Sequence, residues 1–325
     1  MHRILLLVSC LIYLVVGKAE VAMAEVQATQ LFEFKNTFIE NLHMLPDGRI
    51  LLTTFGSGDL WALNPKASPA TIRKVATLPG STGLSGIASL GHGRYAVSGG
   101  EHSSFNFVNG SMRVYVVSMA AEDQEGKVAD SIPVADTSMM NGMVSLHNRP
   151  YVVLCADSIG GRILRIDTHT RKASVAFADA ALGPGSNTTV SLGANGLKVR
   201  GDYLYFTNSA QGTFARFPID DYGRNTGPVE VIARLDNPAS ITYAYDDFAF
   251  DWKGNAYVAL HSSAINKITS DGIQTTFAGG STSSIFKEPT SVALANDGES
   301  IYVSTGGNET YGGQVIQVDI RETNI

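Results

Sequence analysis

The stretch Asn195-Gly-Leu-Lys-Val-Arg-Gly-Asp-Tyr-Leu-Tyr-Phe-Thr-Asn-Ser-Ala-Gln-Gly-Thr-Phe-Ala-Arg-Phe-Pro218 decides the fold. A small polar start leads into a first strand, Gly201-Asp202 turns the chain, Tyr203–Thr207 forms a second strand, and Gly212 opens a third. The same order recurs in Glu40–Leu63, Ser85–Val117, Asn141–Asp167, Asp246–Ile268 and Thr290–Asp319. A period of roughly 40 to 55 residues, with runs too short for helices, is that of four-stranded propeller blades. Six copies predict an all-β, six-bladed β-propeller.

Fourth strands are predicted at Thr71–Leu78, Lys127–Ala135, Lys172–Phe177, Val229–Leu235 and Gln274–Ala278. The last copy has no such strand after it, and Gln30-Leu-Phe-Glu-Phe34 has the alternation to fill the gap. An N-terminal strand completing the last blade removes the exposed sheet edges of an open ring. The reading is one domain over 29–320, with single helical turns expected at Met119–Asp123 and Ala178–Leu182.

Arg3, the apolar run Ile4–Val16 and the small residues near Ala19 and Ala24 read as a signal peptide within 1–24, cleaved after Ala19 or Ala24. The run is too short to span a bilayer comfortably, so no stable membrane insertion is expected after its removal. The expected location is the secretory pathway or outside the cell. Cys10 lies in that segment and leaves Cys155, in the apolar strand Tyr151-Val-Val-Leu-Cys155, as a packing thiol. Asn109-Gly-Ser, Asn187-Thr-Thr and Asn308-Glu-Thr are glycosylation sequons, of which two are expected to be used. A net charge of −6 without a Lys/Arg stripe argues against nucleic acid as partner. No nucleophile elbow, phosphate loop, zinc spacing or dinucleotide signature is present.

In a propeller the starts of the innermost strands and the loops joining second to third strands open on one face. The first positions are Glu40, Ser85, Asn141, Asn195, Asp246 or Asp247, and Thr290. The loops add Phe55, Glu101, His102, Asp157, Asn208, Gln211, His261 and Tyr311. From these, His261, His102 and Asp246 are the catalytic candidates. Glu40, Ser85, Asn141, Asn195, Asp247, Asn208, Gln211, Thr290 and Tyr311 are the substrate-binding candidates. Apolar candidates near the same face are Phe55, Phe105, Phe107, Met139, Met140, Tyr243, Tyr245, Phe286 and Tyr311, suiting a hydrophobic small molecule. His43, inside the first innermost strand, is placed either facing the channel or in packing.

Glu40-Asn-Leu with Pro46-Asp-Gly-Arg49, Ala194-Asn-Gly-Leu197 with Tyr203-Leu-Tyr-Phe-Thr207, and Asp246-Asp-Phe-Ala-Phe-Asp251 with Gly254-Asn-Ala-Tyr-Val-Ala259 resemble the SMP-30/gluconolactonase-like propellers. That resemblance implies a lactonase whose axial divalent cation, such as Ca²⁺, would be held by Glu40, Asn195 and Asp246. The chain departs from the pattern where Ser85-Gly86 replaces a substrate-holding Asn-Asp pair, and where Asp247-Phe248 follows Asp246. With its signal segment, single mature cysteine and Tyr245-Asp-Asp-Phe248, the chain is more similar to the secreted fungal hetero-Diels–Alderases of tropolone–sesquiterpenoid biosynthesis. This narrower resemblance implies a cofactor-free pericyclase joining a tropolone-derived o-quinone methide to a humulene-type alkene. The alternatives are the metal-dependent lactonase and a non-catalytic binding propeller.

Overall fold

Second strands read as unbroken apolar or small-residue runs because both their faces are covered by neighbouring blades. Ile50–Thr54, Ala256–Leu260 and Ser300–Thr305 are buried at every position. Third strands alternate more, as in Arg162–Asp167, and fourth strands such as Lys172–Ala178 are largely exposed. This outward loss of burial is the pattern expected when sheets stack face to face around an axis.

The computed structural model describes residues 26–103, 106–119, 125–261, 263–281, 283–307 and 310–321. The expected signal peptide, Phe105, the sequon residue Asn308 and most of the Met119–Asp123 turn lie outside the described residues. Six four-stranded antiparallel sheets form the six blades of a β-propeller. Their innermost strands are Ile39–Met44, Gly83–Gly91, Met140–Leu146, Ala194–Arg200, Tyr245–Phe250 and Pro289–Leu294. Among the described residues the one helical turn is Ala180–Leu182, capped by Asp179, whose carboxylate accepts from the Ala181 amide. No helix among them is long and apolar enough to cross a membrane.

The ring closes through Ala28–Glu33, which pairs antiparallel with Gln314–Asp319, so that Ala28 faces Val318 and Glu33 faces Gln314. The sequence placed this strand at Gln30–Phe34; it starts two residues earlier because Ala28 and Val26 pack against the apolar cluster between blades 5 and 6. Blade 2 carries an added hairpin, His102–Ser103 with Asn106–Phe107, between its second and third strands.

Each innermost strand is bulged near its start. Register slips between Ile39 and Asn41, Leu84 and Ile87, Met140 and Met143, Ala194 and Leu197, Tyr245 and Phe248, and Pro289 and Ser291. A bulge leaves residues unpaired and re-aims their side chains. The unpaired positions contain all the first-position candidates of the sequence, from Glu40 round to Thr290.

Neighbouring blades are stapled at these bulges by hydroxyls. Thr53 Oγ1 donates to the Ser85 carbonyl (2.6 Å), Ser85 Oγ to Met140 (2.6 Å), Thr207 Oγ1 to Asp246 (2.7 Å) and Thr290 Oγ1 to Ile39 (2.8 Å). Ser158 Oγ makes the same bond to the Ala194 carbonyl. Each buried bond contributes about 1 kcal/mol net, and more is lost if one partner is left alone.

Candidate functional site

Two successive positions, the bulged residue and the one after it, form two tiers around the axis. The first tier holds Glu40, Ser85, Asn141, Asn195, Asp246 and Thr290; all are buried. The second holds Asn41, Gly86, Gly142, Gly196, Asp247 and Ser291. On blades 2 to 4 the second tier is glycine because backbones meet there. A Cβ on Gly142 would lie 2.3 Å from the Asn195 carbonyl oxygen, and one on Gly196 would lie 2.3 Å from Asp247 Oδ1.

On blades 1, 5 and 6 the second tier is polar and knotted together. Asn41 Nδ2 donates to Asp247 Oδ2 (3.3 Å), while Ser291 Oγ reaches Asn41 Oδ1 (2.9 Å) and Asp247 Oδ2 (3.2 Å). Lys198, from blade 4, pairs with Asp247 Oδ1 at 2.6 Å. Glycine contacts on one side and this ionic knot on the other thus join the second-tier positions of neighbouring blades. His43 is half-buried beside the knot, and desolvation together with the Lys198 charge lowers its pKa to about 4, which favours the neutral imidazole. Asn41, Ser291 and Lys198 were not among the sequence candidates. The signal that could have found Asn41 and Ser291 is their place one residue after Glu40 and Thr290.

The first tier is where groups lack partners. Glu40 is 6% exposed. Burial, then the charges of Asp246 and Asp247, holds its carboxyl well above the usual glutamate range. No hydrogen bond from a described residue reaches it. Asn195 Nδ2 donates to Ser209 Oγ (3.0 Å), yet Asn195 Oδ1 and Asn141 Oδ1 are both buried without a partner among the described residues. Buried polar atoms are rarely left unpaired, and a catalytic role or an ion or water is among the explanations for those that are.

His261 Nε2 lies 2.8 Å from Asp246 Oδ2. Burial opposes the imidazolium, but the hydrogen bond and charge of Asp246, with a further contribution from Glu288, outweigh it and raise the pKa of His261. Glu288 itself is held at φ +58, in the left-handed region, immediately before Pro289. His261 and Asp246 therefore form a hydrogen-bonded acid/base pair beside Glu40.

Other candidates are placed differently. Ser85 and Thr290 use their hydroxyls in the staples above, and each also bonds a second-strand serine, Ser98 or Ser304. Asn208 Nδ2 donates to the Ala181 and Gly183 carbonyls, and Gln211 Nε2 to those of Ala180 and Gly183, so both brace the helical turn. Asp157 holds Arg162 and the Gly160 amide. Tyr311 is half exposed under Lys287, whose Nζ lies 3.7 Å from the ring centroid. His102 stacks on Phe55 at 4.2 Å, and Phe55 stacks on Phe38 at 5.1 Å. Burial lowers the pKa of His102, and its Nε2 has no partner among the described residues. Of the apolar candidates, Met139, Met140, Tyr245, Phe107 and Phe286 belong to the core, whereas Phe55 sits at the rim. Cys155 is buried and burial drives its thiol pKa far up, consistent with packing. A cleft of about 500 Å³ opens at the other end of blades 1 and 2, by Leu45, Arg49, Tyr95 and Met119, away from these groups.

The oxygen-rich first tier suits a hard cation: two carboxyls, Glu40 and Asp246, and the orphan Asn195 oxygen. Among the described residues no three His, Cys, Asp or Glu side chains cluster to hold a metal by themselves. An amide oxygen would have to complete any such site.

No family model and no curated protein sequence matches the chain. Solved structures do match in fold. The chain is similar to a luciferin-regenerating enzyme (TM-score 0.64, 14% identity, 90% of this chain and 95% of that one). It is similar to the calcium-binding protein regucalcin from Agrobacterium tumefaciens (TM-score 0.62, 16% identity, 92% and 98%). It is also similar to a gluconolactonase from Xanthomonas campestris (TM-score 0.60, 11% identity, 90% and 89%). The structural neighbours thus include six-bladed propellers of the SMP-30/gluconolactonase type, and at these identities the likeness is one of fold.

Proposed function

We propose that the protein is an enzyme that uses the first tier for general acid–base and orienting chemistry on a hydrophobic small molecule. Its reaction is read as a hetero-Diels–Alder cycloaddition between a tropolone-derived o-quinone methide and a humulene-type alkene. The observation that carries this reading is the His261–Asp246 hydrogen bond beside buried Glu40, which no donor among the described residues reaches, with Phe38, Phe55 and His102 stacked on one another near the start of the same strand.

Each group has a task in that scheme. The His261 imidazolium protonates the benzylic-type hydroxyl of a precursor as its C–O bond breaks and water leaves. The ring hydroxyl gives up its proton, which returns to the imidazole, and the o-quinone methide results. Glu40, whose carboxyl is biased toward the protonated form by burial and the charges of Asp246 and Asp247, donates a hydrogen bond from that form to the heterodiene oxygen, which gains charge as the new C–O and C–C bonds form. Asn141 and Asn195 offer free oxygens to hydroxyls of the bound partners. Holding both partners face to face contributes up to roughly 7–11 kcal/mol in the best intramolecular models. No cofactor is required by this chemistry.

A second reading rests on the same oxygens. Glu40, Asn195 and Asp246 would hold a divalent cation such as Ca²⁺, which when bound polarises a lactone carbonyl and acidifies water. This is the lactonase alternative, and the gluconolactonase among the structural neighbours favours it. One experiment separates the two. The purified protein is assayed, with and without exhaustive chelation, on a lactone panel and on an o-quinone methide precursor with a humulene-type alkene. A single-enantiomer cycloadduct that survives chelation supports the first reading. Adduct formed only at the uncatalysed rate, with chelator-sensitive lactone hydrolysis, overturns it.

A further inference from the structure

Asn187 opens the sequon Asn187-Thr188-Thr189, but both hydrogens of its side-chain amide are committed. Nδ2 donates to the carbonyls of Ala210 (2.8 Å) and Ala239 (3.1 Å). Oδ1 accepts from the Thr189 amide (2.8 Å), the Thr189 hydroxyl (2.9 Å) and the Val190 amide (3.0 Å). The half-buried side chain thereby ties together its own loop, the turn after the second strand of blade 4, and the turn beginning at Ala239.

That last turn borders the candidate site. Ser240 and Tyr243 exchange backbone hydrogen bonds of 3.0 and 3.1 Å, and Ile241 at the tip is 69% exposed. The Ile241 carbonyl faces Nδ1 of His261 at 3.4 Å. Past the turn, the His261 amide donates to the Ala244 carbonyl (2.9 Å). Before it, the anchor among the described residues is the bond from Asn187 to Ala239. A glycan on Nδ2 would replace one of the two amide hydrogens and open this anchor or the one to Ala210. Asn109, by contrast, is exposed in a turn followed by Gly110 at φ +79.

We propose that Asn187 is not a glycan acceptor in the folded protein, and that it is a positioning residue clamping the Ser240–Tyr243 turn against His261. Only the catalytic value of that positioning rests on the acid–base reading above; the clamp stands without it.

Two variants both destroy the sequon and separate the roles: Asn187→Asp removes both donors, and Thr189→Val keeps them. The full chain is secreted from yeast, and glycan occupancy is read by enzymatic deglycosylation in heavy-oxygen water with peptide mass mapping. Amide exchange is followed at Ser240 and Tyr243, and the ring ¹⁵N signals of His261 report its Nδ1 contact. The expected wild type carries no glycan at Asn187, and Thr189→Val keeps wild-type exchange within about twofold. Asn187→Asp exchanges about tenfold faster in the turn, with the Tyr245–Phe250 strand unchanged, and its His261 Nδ1 signal shifts. A glycan on Asn187 of folded wild-type protein overturns the proposal, as does an Asn187→Asp variant with wild-type exchange and ring signals. Should Asn187→Asp fail to fold, occupancy in the wild type and exchange in Thr189→Val still decide. No substrate enters these readouts, so their failure is distinct from failure of the proposed reaction.

Discussion

Replacing Glu40 by Gln tests the electrostatics of the first tier directly. The Glu40 carboxyl is buried, flanked by the charges of Asp246 and Asp247, and held well above its ordinary range. An unfolded glutamate titrates near about 4.3. Between that value and the raised native one, the folded state keeps a proton that the unfolded state has lost. Stability must therefore fall as pH rises through this window, by at most about 1.4 kcal/mol per pH unit for one proton. Below about pH 4 both states are protonated and the penalty vanishes; above the native pKa it is complete. Glutamine presents a neutral amide of similar shape and cannot ionise. The expected result, in chelator, is a Glu40→Gln variant that matches wild type near about pH 4 and is increasingly more stable as pH rises, until the difference levels off. At roughly 2–4 °C of Tm per kcal/mol for a domain of this general size, the divergence is readily seen in thermal scans from about pH 4 to 9. Parallel pH profiles for the two proteins would refute the claim that Glu40 is forced to hold its proton.

Three further outcomes follow from the site. His261→Asn should lower turnover by about 10²–10⁴-fold with little effect on ligand affinity, checked by steady-state kinetics against calorimetric binding. Lys198→Met leaves Asp247 buried without its cation and should cost about 3–5 kcal/mol in urea unfolding, with Lys198→Met/Asp247→Asn regaining a large part. Cys155 in the folded protein should resist thiol reagents at about pH 8 and react fully in denaturant, since its thiol is buried and held protonated.

The six blades were legible because each repeat states its strand order in short-range terms: a small start, an apolar run, a Gly turn. The fourth strands fell within a residue or two of their predicted bounds, as with Lys172–Phe177 against Lys172–Ala178. The rim was legible only as a set of positions. Glu40, Asn141, Asn195 and Asp246 could be placed at strand starts, but nothing local distinguishes Asn195, with a free oxygen, from Asn208, whose amide braces a helical turn. Ser85 and Thr290 occupy equivalent positions yet spend their hydroxyls on the next blade, a bond that depends on a carbonyl at least 55 residues away.

Fold and ring order are thus determined by the sequence itself, because alternation and turn chemistry are set by neighbours along the chain. The strand that closes the ring was readable for the same reason: Gln30–Phe34 alternates, and the last repeat lacks its outer strand. Which polar groups remain unpaired is decided by the tertiary structure alone. Pairing depends on what each blade presents across the axis, where Asp247 meets Lys198, Asn41 and Ser291 while Glu40 meets no donor among the described residues. Partners so far apart in sequence leave no local pattern, and the cost of burying a charge is fixed only once the channel has closed around it.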